Sequence, residues 1–293
     1  TQFRSALLEG RETSTPNDRL YQVLIDPIVD ALPAHATVVL VPDGHLQQLP
    51  FSTLRDPQTR RYLVEDHTFV TTPSATFFTA GLVRLTDLDK KSFRSALLIG
   101  NPATSAATLP GAEAEVTAAA AFYPRHEVLT GRGATKAHFV ANAPAYDVVH
   151  FGGHAFANAE YPLLSRLAFA GAAGEDEPLF AHEISAIRFP KTRVVVLAAC
   201  STGTGAVARG EGVVSVARPF LGAGVPLVVA SQWDVEDRAT ERLFLEFHRV
   251  LSELQNPVAA LRVAQLKLLR DENSVLASPA SWGAFVALGT TAH

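Results

Sequence analysis

The chain has 293 residues, 47% of them hydrophobic and 18% charged, enough apolar material for one large α/β domain or two similar halves. Its formal net charge is −4 and its basic residues never cluster, which argues against nucleic acid or an anionic membrane surface as partner. No apolar run reaches the ~18 residues of a membrane span, the first residues lack a signal-peptide pattern, and a lone cysteine cannot make an internal disulfide, so a reducing, cytoplasmic setting is expected.

From the N-terminus, an amphipathic period predicts a helix over 17–32, then strands over 37–41 and 68–72 and a short apolar helix over 75–85. A strand over 96–99 precedes an alanine-rich helix over 111–123, with glutamates near its start where the helix dipole favours them. Another helix opens near Thr135 and stops before Pro144, because the residue preceding proline avoids the α region. Strands follow over 148–151, 167–169 and 194–198, then a Gly-rich loop and a helix over 211–221 that stops at Gly222 or Gly224. Pro219 inside that helix costs about 3 kcal/mol unless the helix kinks, so a kink or early break is expected. A strand over 226–230 leads to Asp237 as N-cap of a helix over 238–254. Asn256-Pro257 then supplies cap and first position for a helix over 258–270, and a strand over 282–287 closes the chain. The alternation predicts a doubly wound, mostly parallel sheet with helices on both faces. Segments 104–107 and 171–177 read as mobile loops. The chain lacks methionine and starts at Thr1, which suggests a piece excised from a longer protein.

Two strand ends carry the chemistry. The run Arg193-Val194-Val195-Val196-Leu197-Ala198-Ala199 ends in Cys200 and opens onto Ser201-Thr202-Gly203-Thr204-Gly205. Forty-six positions earlier, Asp147-Val148-Val149-His150-Phe151-Gly152-Gly153 ends in His154. Open α/β sheets gather function beyond the carboxyl ends of their strands, so a thiol and an imidazole arrive at one edge, as a cysteine peptidase requires. A thiolate is the reactive form, and a neighbouring histidine or helix N-terminus lowers the thiol pKa. An oxyanion hole needs bare backbone N–H groups; Cys200 offers one, and Gly153 or Ala155 the second. Trp233 and Asp234, after the strand next to the cysteine strand, are candidates for a substrate pocket.

Bland readings compete at each position. Cysteines after apolar strands are often packing residues, core histidines often bond backbone, and Trp233 reads equally as a core aromatic. Glu236 and Asp237 read as helix caps and His150 as a core residue. The other histidines show no metal-ligand spacing, so neither metal nor other cofactor is expected. The glycines after Cys200 lack the Gly-Lys-[Ser/Thr] of a phosphate loop. The first ~90 residues repeat a strand-and-turn design, Val38-Val39-Leu40-Val41-Pro42-Asp43-Gly44 with Leu49-Pro50-Phe51, but carry no cysteine and read as scaffold.

Several stretches together resemble the CHAT domain, a caspase-like peptidase module of clan CD related to caspases and separase. They include Leu109-Pro110-Gly111-Ala112-Glu113-Ala114-Glu115-Val116, His150-Phe151-Gly152-Gly153-His154-Ala155, Pro162-Leu163-Leu164-Ser165-Arg166-Leu167, Val196-Leu197-Ala198-Ala199-Cys200-Ser201-Thr202-Gly203, Ser231-Gln232-Trp233-Asp234-Val235 and Trp282-Gly283-Ala284-Phe285-Val286. The resemblance runs from about residue 20 to the end. It implies a caspase-like fold with a pseudo-caspase half (1–92) and an active half (93–293), and His154 and Cys200 as a catalytic dyad. It also implies a tetratricopeptide or other sensor region upstream, missing from this chain. The expected function is a cysteine endopeptidase that cuts a specific protein or peptide partner and is latent until activated. The alternative is a regulated protein-binding scaffold with a silent dyad, and a non-peptidase thiol hydrolase is a weaker third reading.

Overall fold

The computed structural model describes residues 2–11, 13–87, 92–158, 160–172, 175–201 and 214–291. Twelve strands are found among them: β1 (Thr37–Leu40), β2 (Thr68–Thr71), β3 (Ser95–Pro102), β4 (Arg125–Gly131), β5 (Val148–Gly152), β6 (His154–Phe156), β7 (Arg166–Ala170), β8 (Asp176–Phe180), β9 (Val194–Leu197), β10 (Cys200–Ser201), β11 (Leu227–Ser231) and β12 (Phe285–Gly289). The α-helices are α1 (Gln2–Leu8), α2 (Ser14–Leu24), α3 (Leu63–Asp66), α4 (Ala75–Asp87), α5 (Pro110–Ala119), α6 (Lys136–Asn142), α7 (Ala181–Ala186), α8 (Val214–Gly222), α9 (Asp237–Leu254), α10 (Pro257–Leu269) and α11 (Pro279–Trp282).

Eight strands form one sheet in the order β1-β2-β12-β11-β9-β5-β3-β4. Every neighbouring pair is parallel except β11 with β12. β1 and β2, from the first ~90 residues, extend this same sheet through β12. β9 and β5 are buried along their whole length, as strands covered on both faces must be. Alternation sorts their side chains: Val194, Val196, Val148 and Leu98 join one core with α5, α9 and α10. Val195, Leu197, Val149 and Ile99 join another with α6, α7 and α8. This is a mostly parallel α/β sheet with helices on both faces, as the alternating sequence pattern requires.

Local departures have local reasons. The helix expected over 17–32 is α2 followed by a 3₁₀ helix, Asp26–Ala31, because Pro27 cannot donate inside an α-helix. Trp282 ends α11, capped by Ser278 with Pro279 at its first position, so the last strand begins only at Phe285. Helix α8 continues through Pro219 to Gly222, and the Pro219 carbonyl accepts from Ala223 N–H at 2.8 Å. The expected start of that helix at Glu211 lies outside the described residues. Gly100 explains how α5 reaches the strand ends: a Cβ there would fall 2.5 Å from Val116 Cγ2 and 2.6 Å from the Ala112 carbonyl oxygen.

Candidate active site

β5 and β9 run side by side with Val148 opposite Val194 and Phe151 opposite Leu197. Beyond Gly152 the chain passes through Gly153 into β6, and beyond Leu197 through Ala198 and Ala199 into β10. The 46-residue offset survives this exit, because β10 pairs with β6 in parallel with Cys200 opposite His154 and Ser201 opposite Ala155. Neighbouring strands lie about 4.8 Å apart, so the two candidate residues are backbone neighbours on a second, four-stranded sheet, β10-β6-β7-β8. The Cys200 side chain and residues 202–213 lie outside what the structure describes.

The His154 imidazole is buried at 3% exposure, and its Nε2 lies 2.6 Å from the Ala107 carbonyl oxygen. A carbonyl can only accept, so Nε2 carries the proton and Nδ1 is the basic nitrogen. Nδ1 has no hydrogen-bond partner among the described residues. One face of the ring is thereby fixed by backbone and the other nitrogen is left for proton transfer. Gly153 sits in the link between β5 and β6, while Ala155 lies within β6 between Ser201 of β10 and Leu167 of β7.

The next strand reaches the same rim. Ser231, at the end of β11, donates its hydroxyl to the Ala199 carbonyl at 3.1 Å. The two pocket candidates that follow face differently. Trp233 is 6% exposed, belongs to the α5/α9/α10 core, donates its indole N–H to the Ala280 carbonyl at 2.8 Å and stacks beneath Arg4. Asp234 is exposed. A cavity of about 460 Å³, within the size range of ligand sites, is lined by Arg4, Gln47, Phe77, Arg218, Gln232 and Leu288, and neither Trp233 nor Asp234 is among its lining residues. Asp237 starts α9 rather than capping it. Its carboxylate accepts from Gly111 N–H of α5 at 2.8 Å, so it caps the neighbouring helix.

Behind β5 lies a buried chain of titratable groups. His150 Nε2 is 2.8 Å from Glu115 Oε1, His150 Nδ1 is 3.0 Å from His248 Nε2, and His248 Nδ1 is 2.7 Å from Tyr123 Oη. The Glu115 contact is close, but its angle is not that of a good hydrogen bond, and both carboxylate oxygens lack a partner. Burial pushes His150 down to about 3 and holds His248 well below the usual imidazole range, the latter helped by His150. Burial first, then Asp237 and Glu241, pushes Glu115 well above the usual carboxylate range. The two imidazoles are therefore neutral near pH 7, and the shift on Glu115 favours its protonated, uncharged form. Glu115, His150 and His248 place ligand-type atoms within 4.8 Å of one another. The contacts from His150 to His248 and from His248 to Tyr123 engage three of the four imidazole nitrogens in a hydrogen-bonded chain.

Comparison with known proteins bears on the family and the fold. The CHAT domain family model matches residues 15–290. A curated human protein, tetratricopeptide repeat protein 28, is 24% identical over 345 residues, covering 99% of this chain and 14% of its own length. The chain thus spans about one seventh of that relative. The Arg-specific cysteine proteinase gingipain R superposes with a TM-score of 0.58 at 11% identity, covering 94% of this chain and 67% of that one. Saccharomyces cerevisiae separase, solved with securin, gives 0.52 at 13% identity over 86% of this chain and 15% of that one. At such identities the superpositions show a shared fold, that of the caspase-like proteases. No helix among the described residues is long and apolar enough to cross a membrane. With nearly its whole length matched by the family model, the chain belongs to the CHAT domain family.

Proposed function

We propose that the chain is a cysteine endopeptidase in which Cys200 and His154 form the catalytic dyad. One observation carries this reading: the two residues stand opposite each other in the β10–β6 pair, with His154 Nε2 committed to a backbone carbonyl. His154 Nδ1 takes the thiol proton, and the Cys200 thiolate attacks the scissile carbonyl carbon. The carbon–sulfur bond forms, the imidazolium protonates the leaving amine, and the carbon–nitrogen bond breaks. Water, losing its proton to Nδ1, then hydrolyses the thioester and restores the thiol. The N–H of Cys200 with that of Gly153 or Ala155 would hold the oxyanion. Exposed Asp234 would meet the substrate side chain before the cut, over a floor fixed by buried Trp233.

The substrate class is a protein or peptide, in a cytoplasmic setting. The tetratricopeptide-repeat relative supports a sensor region acting on this domain, with latency relieved through it. The 1–92 segment serves as the pseudo-caspase scaffold and 93–293 as the catalytic half. The test is incubation of wild type, Cys200→Ala and His154→Ala with a proteome-derived peptide library, reading new termini by mass spectrometry. The proposal requires termini from wild type alone, after a restricted set of residues. Equal products from all three would overturn it in favour of the silent scaffold.

A further inference from the structure

The carbonyl that fixes His154 belongs to a loop with little to hold it. Ala103 N–H still bonds Gly131 O at 2.9 Å, and α5 begins at Pro110. Between them, among the described residues, no backbone–backbone hydrogen bond restrains positions 104–108. Two side chains do the holding. Asn101 Oδ1 accepts from Leu109 N–H at 2.9 Å, and Asn101 Nδ2 donates to Glu113 Oε2 at 3.1 Å, which closes the loop against the first turn of α5. At the other side, Asp176 accepts from the Ser105 N–H at 2.5 Å and from its hydroxyl at 2.9 Å. Asp176 opens β8 in the same four-stranded sheet that carries His154 and Cys200. Asn101 adopts the left-handed conformation at φ +49°, a geometry uncommon outside glycine and most tolerated by Asn and Asp.

We propose that Asn101 and Asp176 are positioning residues. They hold the 103–109 loop so that the Ala107 carbonyl keeps the His154 proton on Nε2 and leaves Nδ1 as the base for Cys200. This inference rests on the dyad reading and adds to it the device that sets the imidazole's tautomer, much as outer partners orient a metal-bound histidine. Loss of either hold lets the carbonyl move away, so the imidazolium that accompanies the thiolate loses a charge-assisted partner.

Cys200 is the chain's single cysteine, so alkylation by iodoacetamide reports on it without any substrate. The rate is measured against pH for wild type, His154→Ala, Asn101→Gly, Asp176→Ala and the double variant Asn101→Asp/Glu113→Gln. Glycine accepts the φ of position 101 without strain, so the first loop variant removes the side chain while preserving the backbone; circular dichroism and thermal midpoints verify each fold. The wild-type midpoint should lie below the ~8.5 of a free thiol. Asn101→Gly and Asp176→Ala should raise it and slow alkylation at pH 7 by about tenfold, as expected for losing one charge-assisted hydrogen bond. The double variant, which retains an acceptor for Leu109 N–H and restores a donor–acceptor pair with position 113, should recover the wild-type profile. Unchanged midpoints in folded Asn101→Gly and Asp176→Ala, with His154→Ala shifted, would overturn the positioning role and leave the dyad standing. Identical profiles for wild type and His154→Ala would overturn the dyad itself.

Discussion

The buried chain behind β5 makes a signed prediction about acid. His150 is 0% exposed, faces Glu115 from α5 and His248 from α9, and packs edge-on against Phe244 at 5.5 Å. If it is neutral in the fold with a pKa of about 3 against 6.5 unfolded, the unfolded chain binds the extra proton as pH falls. Stability is then fully present above ~6.5 and lost as pH drops toward 3. Between pH 7 and 5, His150 alone accounts for a loss of about 2 kcal/mol. His248 shifts in the same direction and adds to the loss, while Glu115, raised by burial, opposes it. A single wild-type pH curve therefore mixes signs, and His150→Gln separates them. The variant should be less stable at pH 7 by about 1–3 kcal/mol for imperfectly replaced bonds, yet its deficit should shrink by about 2 kcal/mol at pH 5. Urea unfolding at both pH values, followed by far-UV circular dichroism, measures the gap. A gap that stays constant would mean an unshifted His150, and one that widens on acidification a His150 protonated against an ionised Glu115; either would refute the neutral chain.

Two stability predictions test how α5 is seated. Gly100→Ala places a methyl 2.5 Å from Val116 Cγ2 and 2.6 Å from the Ala112 backbone oxygen; overpacking of about 1–3 kcal/mol should lower the thermal midpoint, and a variant as stable as wild type would show that α5 can slide. Asp237→Ala removes the acceptor for Gly111 N–H and should cost roughly 0.5–2 kcal/mol in urea unfolding, with Asp237→Asn milder because an acceptor remains.

The sequence announces what is repetitive and hides what is set by pairing. Val194–Leu197 is a continuous apolar run and Val148–Gly152 one broken only by His150, as strands covered on both faces carry, and the 46-residue interval from His154 to Cys200 is the register of those strands carried three steps further. Asn256 with Pro257 signalled its helix faithfully, the Asn side chain accepting from Val258 and Ala259 N–H. By contrast, β6, β8 and β10 are two to five residues long and exist because neighbours pair with them, and β4 reads as polar at its exposed start, Arg125-His126. The loops at 104–107 and 171–177 look like unstructured linkers, yet Ser105 and Asp176 join them. A backbone carbonyl carries no residue signature, so Ala107 could not be found from sequence. Asn101 offered a faint signal, an Asn following Gly100 at a strand end where a left-handed residue fits.

The dyad itself is tested most directly by titrating the thiolate absorbance near 240 nm, which in a one-cysteine chain belongs to Cys200 alone. The paired geometry predicts a wild-type midpoint well below ~8.5, returning to about that value in His154→Ala. A wild-type thiol that titrates like a free one, unaffected by removing the imidazole, would contradict the account.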